Sequence, residues 1–463
     1  MSSGLLVIFG ITGDLARRYL LPALYHLSSD GLLPEHFEVI GITRRGTTVE
    51  NLLANIKTEI TNHEDSCSDQ ALQKLGASIR IVKMDMTDVA EYRALKKTLD
   101  AIEDEHSTCL NRLFYLSIPP QIFGTVVDFL GETGLNSGCQ HGSSDSRIMV
   151  EKPFGYDLAT AKELISRLRR SFREEQIFRI DHYLAKETVQ NILTFRFSNP
   201  IFKKIWDRHS ISSISISAKE TIGIEGRAVF YDSVGALRDF VQNHLLQLLS
   251  VVTMNEPAEM NSTQIHAQKL KLMKHIHNIE VAEVGAETVR GQYRGYTDEV
   301  GKAGSTTETF ARVSLRIEDD RWKGVPVVLE TGKHLDARTA EIGLTFSDSP
   351  DWPEEGNTLL FRLQPNEGIS IDVMAKKPGF ELQAGRVEMA FNYDHTNGKD
   401  IHPNAYERVL IDGIRGDQTL FASSDEVLES WRIVDNVVQE WAKNGDGLIE
   451  YEPGSTPESI KSR

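Results

Sequence analysis

The sequence predicts two folded parts. The first is an α/β, doubly wound, Rossmann-like parallel-sheet domain over residues 1–180, and the second a larger α+β domain over 181–463 with a mostly antiparallel sheet and helices. Three observations predict this. Up to about residue 180, short apolar runs alternate with helical repeats, the signature of stacked βαβ units. Beyond about residue 190 single apolar residues alternate with polar ones, as in strands with one buried face. The 463 residues, 40% hydrophobic and 25% charged, suit two or three cores at ~150 residues each.

The run Leu5-Leu6-Val7-Ile8-Phe9 is predicted to be a buried first strand. No basic segment precedes it, and Asp14 follows too soon for a secretory signal. Further strands are predicted at 37–42, 79–83, 113–117, 148–150 and 178–180. Between them Leu20, Leu21, Leu24 and Leu27, then Phe123, Val127 and Leu130, recur at helical spacing. In the second domain Ala311, Val313, Leu315 and Ile317, and again Ile369, Ile371 and Val373, read as half-buried antiparallel strands. Val234, Leu237, Phe240, Val241, Leu245, Leu248, Leu249 and Val252 predict one amphipathic helix, and Leu428, Trp431, Val434, Val438 and Trp441 another. Residues 142–146 and 304–307 read as polar loops, and 452–463 as a loose tail.

Sixty-seven acids against fifty-one bases give a net charge of −16. That balance argues against nucleic acid or an anionic membrane as a partner held by bulk charge. No apolar run approaches the ~18 residues that span a bilayer. Three cysteines, Cys67, Cys109 and Cys139, form no CxxC pair, so neither a disulfide framework nor a cysteine zinc site is indicated. A reducing, cytoplasmic setting is expected. The basic stretch 269–274 with His275 and His277 reads as a solvated helix face, and His395 and His402 beside Asp394 and Asp400 have no tight metal spacing.

Gly10-Ile11-Thr12-Gly13-Asp14-Leu15 lies between the first strand and a helix. Glycine there permits a tight turn and close approach of a phosphate, and the helix start offers N–H groups to the anion. It is not a full G-x-G-x-x-G, and a plain structural turn is the alternative. Where the second strand ends, an NAD-selective protein would often carry an acid for the ribose hydroxyl, but this chain has Arg44 and Arg45. Two guanidiniums suit a 2′-phosphate and favour NADP; solvated loop arginines are the other possibility.

Asp181-His182-Tyr183-Leu184-Ala185-Lys186-Glu187 follows the sixth strand, at the carboxyl edge where open α/β sheets bind ligands. Its His, Tyr and Lys donors could grip a phosphate dianion. Arg238-Asp239-Phe240-Val241-Gln242-Asn243-His244 sets polar groups into the apolar helix. A histidine titrates near neutrality, and an acid bonded to its other nitrogen would fix its tautomer.

These motifs, in this order, resemble the glucose-6-phosphate dehydrogenase family. The resemblance covers nearly the whole chain, through the Gly10 turn, Glu151-Lys152-Pro153-Phe154-Gly155, the Asp181 run, Glu220, Gln242-Asn243-His244-Leu245-Leu246-Gln247, Arg290-Gly291-Gln292-Tyr293, Gly332-Lys333 and Gln364-Pro365-Asn366-Glu367. It implies oxidation of D-glucose 6-phosphate to the 6-phosphogluconolactone with hydride transfer to NADP+. On this resemblance His244 is the base and Asp181 holds the imidazolium. His182, Tyr183 and Lys186, helped by Arg338, bind the 6-phosphate. Lys152, Glu220, Asp239, Lys333 and Gln364 hold sugar hydroxyls or position the reactants. Gly10, Thr12, Gly13, Asp14, Leu15, Arg44, Arg45, Pro119 and Lys152 bind the cofactor. A cis Lys152–Pro153 bond, no metal, and a homodimer or homotetramer are also implied.

The chain departs from the family pattern in places. Ala185 replaces a glycine, tolerable unless the backbone there needs φ > 0. Tyr19 stands where a third basic residue is common, and Phe123 where a tyrosine often lies. Some family members carry a second, structural NADP site; Glu330, Thr339, Gly343 and Asp372 would not pair with phosphate there, so that site is expected to be absent. The rival readings are a dehydrogenase for another sugar or sugar phosphate, and a catalytically silent NADP-binding sensor.

Overall fold

The computed structural model describes residues 3–63, 67–139, 145–348, 356–393 and 403–461. Strands β1 (Gly4–Phe9), β2 (Phe37–Thr43), β3 (Ile79–Lys83), β4 (Asn111–Leu116), β5 (Ser146–Val150) and β6 (Ile177–Ile180) cover every strand predicted in the first part. They are followed by β7 (Ile211–Lys219), β8 (Thr288–Tyr293), β9 (Phe310–Leu315), β10 (Val327–Gly332), β11 (Thr339–Phe346), β12 (Thr358–Gln364), β13 (Gly368–Lys376) and β14 (Ala384–Asn392). Two short strands, β15 (Phe421–Ala422) and β16 (Leu448–Tyr451), complete the set.

The chain divides into two compact units. The first holds Met1–Gly155, Ala159–Ala185 and Pro403–Ser424, so a cut at residue 180 leaves its last segment out of account. Its sheet runs β15-β6-β5-β4-β1-β2-β3. All pairings from β6 to β3 are parallel, and only β15 is antiparallel. Every residue of β1 and β2 is buried, which is why β1 reads as an unbroken apolar run and β2 as one interrupted only by Glu38 before Thr43. The strand order reverses between β1 and β4, where such sheets open a ligand crevice at their carboxyl ends.

The second unit holds Tyr156–Leu158, Lys186–His402 and Asp425–Arg463. Its nine strands run β14-β13-β12-β11-β7-β10-β9-β8-β16. Only β7 with β10 and β8 with β16 are parallel, so the mostly antiparallel sheet is as predicted. In β11 and β12 every second residue is buried, the half-covered alternation that the sequence shows. Helical residues Leu237–Leu245 pack on β7, β9 and β10, and all eight residues of helix Leu246–Thr253 are buried.

Four sequence expectations are corrected. The amphipathic helix expected from Val234 to Val252 is broken at Gly235 (φ 72°, ψ 172°) and widened to π-helical turns over Leu237–Leu245. The expected loose tail is packed up to residue 461. Its Gly454 N–H donates to the His334 carbonyl, Ser455 accepts from the Asp336 N–H, and Ile460 is buried. Cys109 and Cys139 form a disulfide despite lacking a motif; they precede the paired parallel strands β4 and β5. Lys269, read as part of a solvated face, is buried: its ammonium donates to Glu426 at 2.8 Å. Residues Asp394, His395, Asp400 and His402 lie outside the described residues. No helix among the described residues is long and apolar enough to cross a membrane.

Candidate active site

In the first unit the glycine turn closes over the carboxyl end of β1. The Gly10 N–H donates to the Ile42 carbonyl at 3.0 Å, and the Gly13 N–H to the Gly10 carbonyl at 2.8 Å. Gly10 has φ 85°, and a Cβ there would lie 2.2 Å from the Ser117 carbonyl oxygen, so glycine is required for conformation and for space. The Thr12 and Thr43 hydroxyls meet at 3.3 Å, tying the turn to the end of β2. Leu15 leads directly into helical residues Ala16–Leu20, and exposed Asp14 forms ion pairs with Arg17 at 3.4 Å and Arg18 at 3.7 Å. Arg44 and Arg45 are exposed just past β2, and Pro119 is exposed past β4. These residues fit a phosphorylated dinucleotide: a bare-backbone cradle at the sheet's switch point, with two exposed guanidiniums at the end of the neighbouring strand. The departures lie aside from that cradle. Tyr19 stacks on Tyr406 with ring centroids 5.0 Å apart, and Phe123 is buried.

At the ends of β5 and β6 stand Lys152 and Asp181. The Lys152–Pro153 bond is cis, as the resemblance implies, and Gln364–Pro365 in the second unit is cis as well. Asp181 is buried, and its Oδ1 accepts the Tyr183 N–H at 2.9 Å while its carbonyl accepts the Leu184 N–H at 3.1 Å. This Asx-type turn fixes the carboxylate at the exit of β6. Tyr183 is buried, and the His182 ring lies 5.0 Å from it. Ala185 is absent from the positive-φ positions, so its methyl group meets no backbone penalty.

Glu151 belongs to the sequence motif but has no role assigned from it. The Tyr115 hydroxyl donates to its Oε1 at 2.6 Å. Burial pushes its carboxyl up to about 7; the Asp181 carboxylate adds to the rise, while Tyr115 and Lys152 oppose it. The signal available in the sequence is its place directly before Lys152.

In the second unit the site residues gather around Tyr231. Burial raises this phenol far above its ordinary range, and the carboxylates of Asp239, Glu308 and Glu220 add to the rise. The Lys333 ammonium lies 5.2 Å over the Tyr231 ring and pairs with Glu220 at 2.6 Å. The structure thus brings Glu220, Asp239 and Lys333 together around a tyrosine that the sequence reading missed. Lys333 is held in turn by its N–H to the Thr309 carbonyl and its carbonyl to the Tyr451 hydroxyl, at 2.9 and 2.6 Å. Lys186 reaches the end of β12: its Nζ donates to the Leu363 carbonyl at 3.2 Å and lies 3.4 Å from Glu367, next to half-buried Gln364. Arg338 is exposed just before β11.

His244 is buried within the widened turns. Asn243 bonds within these turns: its Oδ1 accepts the His244 N–H at 2.6 Å, and its Nδ2 donates to the Arg238 carbonyl at 2.9 Å. An asparagine side chain thereby supplies bonds that the π-helical segment would otherwise leave to the backbone. The Phe240 ring lies 5.5 Å from the imidazole, edge to face.

Of the four residues at the positions of the second NADP site, expected not to pair with phosphate, three have other partners or surroundings. Glu330 pairs with Arg312 at 3.2 Å and Asp372 with Arg386 at 3.4 Å, while a Cβ on Gly343 would meet the Ser215 hydroxyl. Among the described residues no group of three His, Cys, Asp or Glu is arranged to hold a metal ion.

The sheet order and its glycine turn make the first unit a dinucleotide-binding domain, and with the acid-, lysine- and histidine-bearing second unit they define a nucleotide-linked oxidoreductase. Comparison with known proteins narrows the class. Residues 7–191 match the glucose-6-phosphate dehydrogenase NAD binding domain and residues 193–462 the C-terminal domain of the same family. Glucose-6-phosphate 1-dehydrogenase 2 of Mycobacterium tuberculosis is 38% identical over 98% of this chain and 91% of its own. The Bacillus subtilis glucose-6-phosphate 1-dehydrogenase is 37% identical over 97% and 94%. A glucose-6-phosphate dehydrogenase solved in complex with its substrate glucose-6-phosphate superposes with a TM-score of 0.90 and 32% identity, over 98% of this chain and 95% of that one. The chain belongs to the glucose-6-phosphate dehydrogenase family.

Proposed function

We propose that the protein oxidises D-glucose 6-phosphate at C1 to 6-phospho-D-glucono-1,5-lactone, the first oxidative step of the pentose phosphate pathway, with NADP+ as acceptor. The observation that carries this reading is the match, over 98% of the chain, to a relative solved with that sugar phosphate. When bound, the nicotinamide accepts the hydride that leaves C1. The chain's own groups do the rest. His244 removes the C1 hydroxyl proton, which turns the carbon into a better hydride donor, a contribution of about 10²–10⁴-fold for a placed base. Asp181 has the role of stabilising the resulting imidazolium. His182, Tyr183, Lys186 and Arg338 take the 6-phosphate, Lys152 touches both sugar and cofactor, and Glu220, Asp239, Lys333 and Gln364 hold hydroxyls or position the reactants. The test is absorbance at the reduced-nicotinamide band with glucose 6-phosphate against free glucose. Turnover that does not need the phosphate would favour another sugar dehydrogenase, and none with any sugar a silent sensor.

NADP over NAD rests on Arg44 and Arg45 at the end of β2. Arg44→Ala is expected to raise KM for NADP by at least about tenfold, the loss of one charge-assisted contact to a phosphate, while KM for NAD changes little. Equal effects on both would mean that Arg44 does not read the 2′-phosphate. Titration of the purified protein with NADP is expected to saturate at one NADP per subunit, since Glu330 and Asp372 disfavour a second. No metal is required. A cytoplasmic location is retained, with the Cys109–Cys139 pair expected to open to free thiols under reduction.

The homo-oligomer is supported by one surface of the second unit. Opposite pairs Val373 with Val387, Ile371 with Met389 and Ile369 with Phe391 share one face of β13 and β14. Met389 is 61% exposed, and Val387 and Phe391 are exposed as well. The other face carries Arg386, Asp372 and Glu388. An apolar face at a sheet's rim fits a second copy of itself about a two-fold axis. Met389→Glu is expected to shift the protein to monomers in sedimentation velocity; an unchanged assembly would place the contact elsewhere.

A further inference from the structure

We propose that Glu308 is a positioning residue for the reaction: it starts the helix that presents Asp239 and His244. The inference rests on reading His244 as the base.

The helix Ala228–Ala236 stops where Gly235 turns to φ 72°, and a new helical segment begins at once. A helix start leaves N–H groups without intrahelical acceptors, and a local Ser, Thr, Asp or Asn side chain usually accepts one of them. Here Ala236 occupies that position, and its methyl group can accept no hydrogen bond. Glu308 substitutes from far along the chain. Its carbonyl accepts the Ala236 N–H at 3.0 Å, and its carboxylate Oε1 accepts the Leu237 N–H at 2.9 Å across 71 residues of sequence.

Gly235 and Glu308 are matched to one another. A Cβ on residue 235 would lie 2.4 Å from that same Oε1, and the left-handed φ independently demands glycine. The carboxylate is only 5% exposed and sits at the positive end of the helical dipole. Burial raises its pKa, while the bonds from the Leu237 and Glu308 N–H groups and the charges of Arg238 and Arg290 oppose the rise. Tyr231 also lies close enough to feel its charge. Glu308 directly precedes Thr309, whose carbonyl holds the Lys333 N–H. One short segment therefore anchors both the helix of His244 and the loop of Lys333.

Loss of this anchor frees the first turn to shift. A slip of one residue moves a helical side chain by ~1.5 Å along the axis and ~100° around it, and misplacement of a reacting group by about 1 Å can cost on the order of 10²-fold. Asp239 and His244 would move together, while the glycine turn of the first unit is untouched.

The experiment compares Glu308→Ala, Glu308→Gln, Gly235→Ala and His244→Asn. Glu308→Ala and Gly235→Ala are each expected to lower kcat by roughly 10- to 100-fold, with KM for NADP within about twofold of wild type. Glu308→Gln keeps an acceptor oxygen and is expected to recover kcat to within about threefold. Should Glu308→Ala not accumulate folded, Glu308→Asp carries the test: it keeps the charge but retracts the acceptor, so kcat must fall at unchanged NADP KM. Wild-type kcat in Glu308→Ala, or a loss that glutamine does not rescue, would overturn the proposal. If His244→Asn instead turns over like wild type, the base assignment itself fails, whatever Glu308 does.

Discussion

His244→Asn is expected to lower kcat by roughly 10²–10⁴-fold, the range over which a placed general base contributes. KM for NADP should stay within about twofold, because uniform cofactor binding is not what the ring supplies. The site favours a clean readout. His244 is buried, and its backbone N–H, not its ring, is the group that Asn243 holds at 2.6 Å. Asparagine therefore keeps the clasp on the widened turn while removing the imidazole nitrogen assigned to take the proton. Single-turnover absorbance of the reduced cofactor checks the chemical step directly. A variant with wild-type turnover would remove His244 from the chemistry and leave Asp181 without its assigned task.

Glu426→Gln is expected to destabilise the folded protein by about 3–5 kcal/mol, the usual cost of breaking a buried ion pair from one side. Glu426 and Lys269 are both fully buried, bonded at 2.8 Å, and His266 Nδ1 meets the other carboxylate oxygen at 2.6 Å. Removing the acid leaves a buried ammonium without its partner. Denaturant midpoints at pH 7 measure the effect. The pH dependence has a definite sign. Burial alone would raise the Glu426 carboxyl, but Lys269 and His266 override it and hold it at about 2, below the ordinary 4.5. Its stabilisation is thus present above pH 4.5 and is lost as pH falls toward 2. Glu151 acts in the opposite direction. Its carboxyl is raised to about 7, so the fold favours the protonated form, and that contribution is lost as pH rises through 7. The wild type should lose stability in acid, and Glu426→Gln should lose less over the same interval. A Glu426→Gln variant with the wild-type acid slope would show that the pair does not govern it.

Much of the fold was legible because apolar burial writes itself locally. Strands β1, β2 and β4 appear as mainly apolar runs, since parallel strands covered on both faces need apolar residues at most positions. The alternation in β9 follows from one covered face, whereas in β13 the apolar residues Ile371 and Val373 lie on a face left partly open. What was not legible depends on distant partners. No local signal shows that helix formation fails at Gly235, because the acceptors that restart the helix belong to Glu308. Lys269 reads as one more base in a polar stretch until Glu426 is placed beside it. The two residues of β15 are too few for any period. In the site, resemblance supplied the names of Glu220, Asp239 and Lys333, but the aromatic ring around which they gather is seen only in the folded chain. Cys109 and Cys139 carried no motif at all, and it is the pairing of β4 with β5 that brings them within 5.6 Å of each other, Cα to Cα.

The return of Pro403–Ser424 to the first unit has a practical consequence for dissecting the molecule. Arg147 donates to the Gly413 and Ile414 carbonyls, Gln418 to those of Glu174 and Ile177, and the buried Arg179 to the Ser424 hydroxyl. A fragment ending at residue 185 would strip these acceptors from two guanidiniums and bare the outer rim of β6 to any passing chain. Such a half-protein is expected to clump when expressed by itself, whereas splicing 403–424 back onto it through a short linker should yield a nucleotide-binding lobe that stays dispersed.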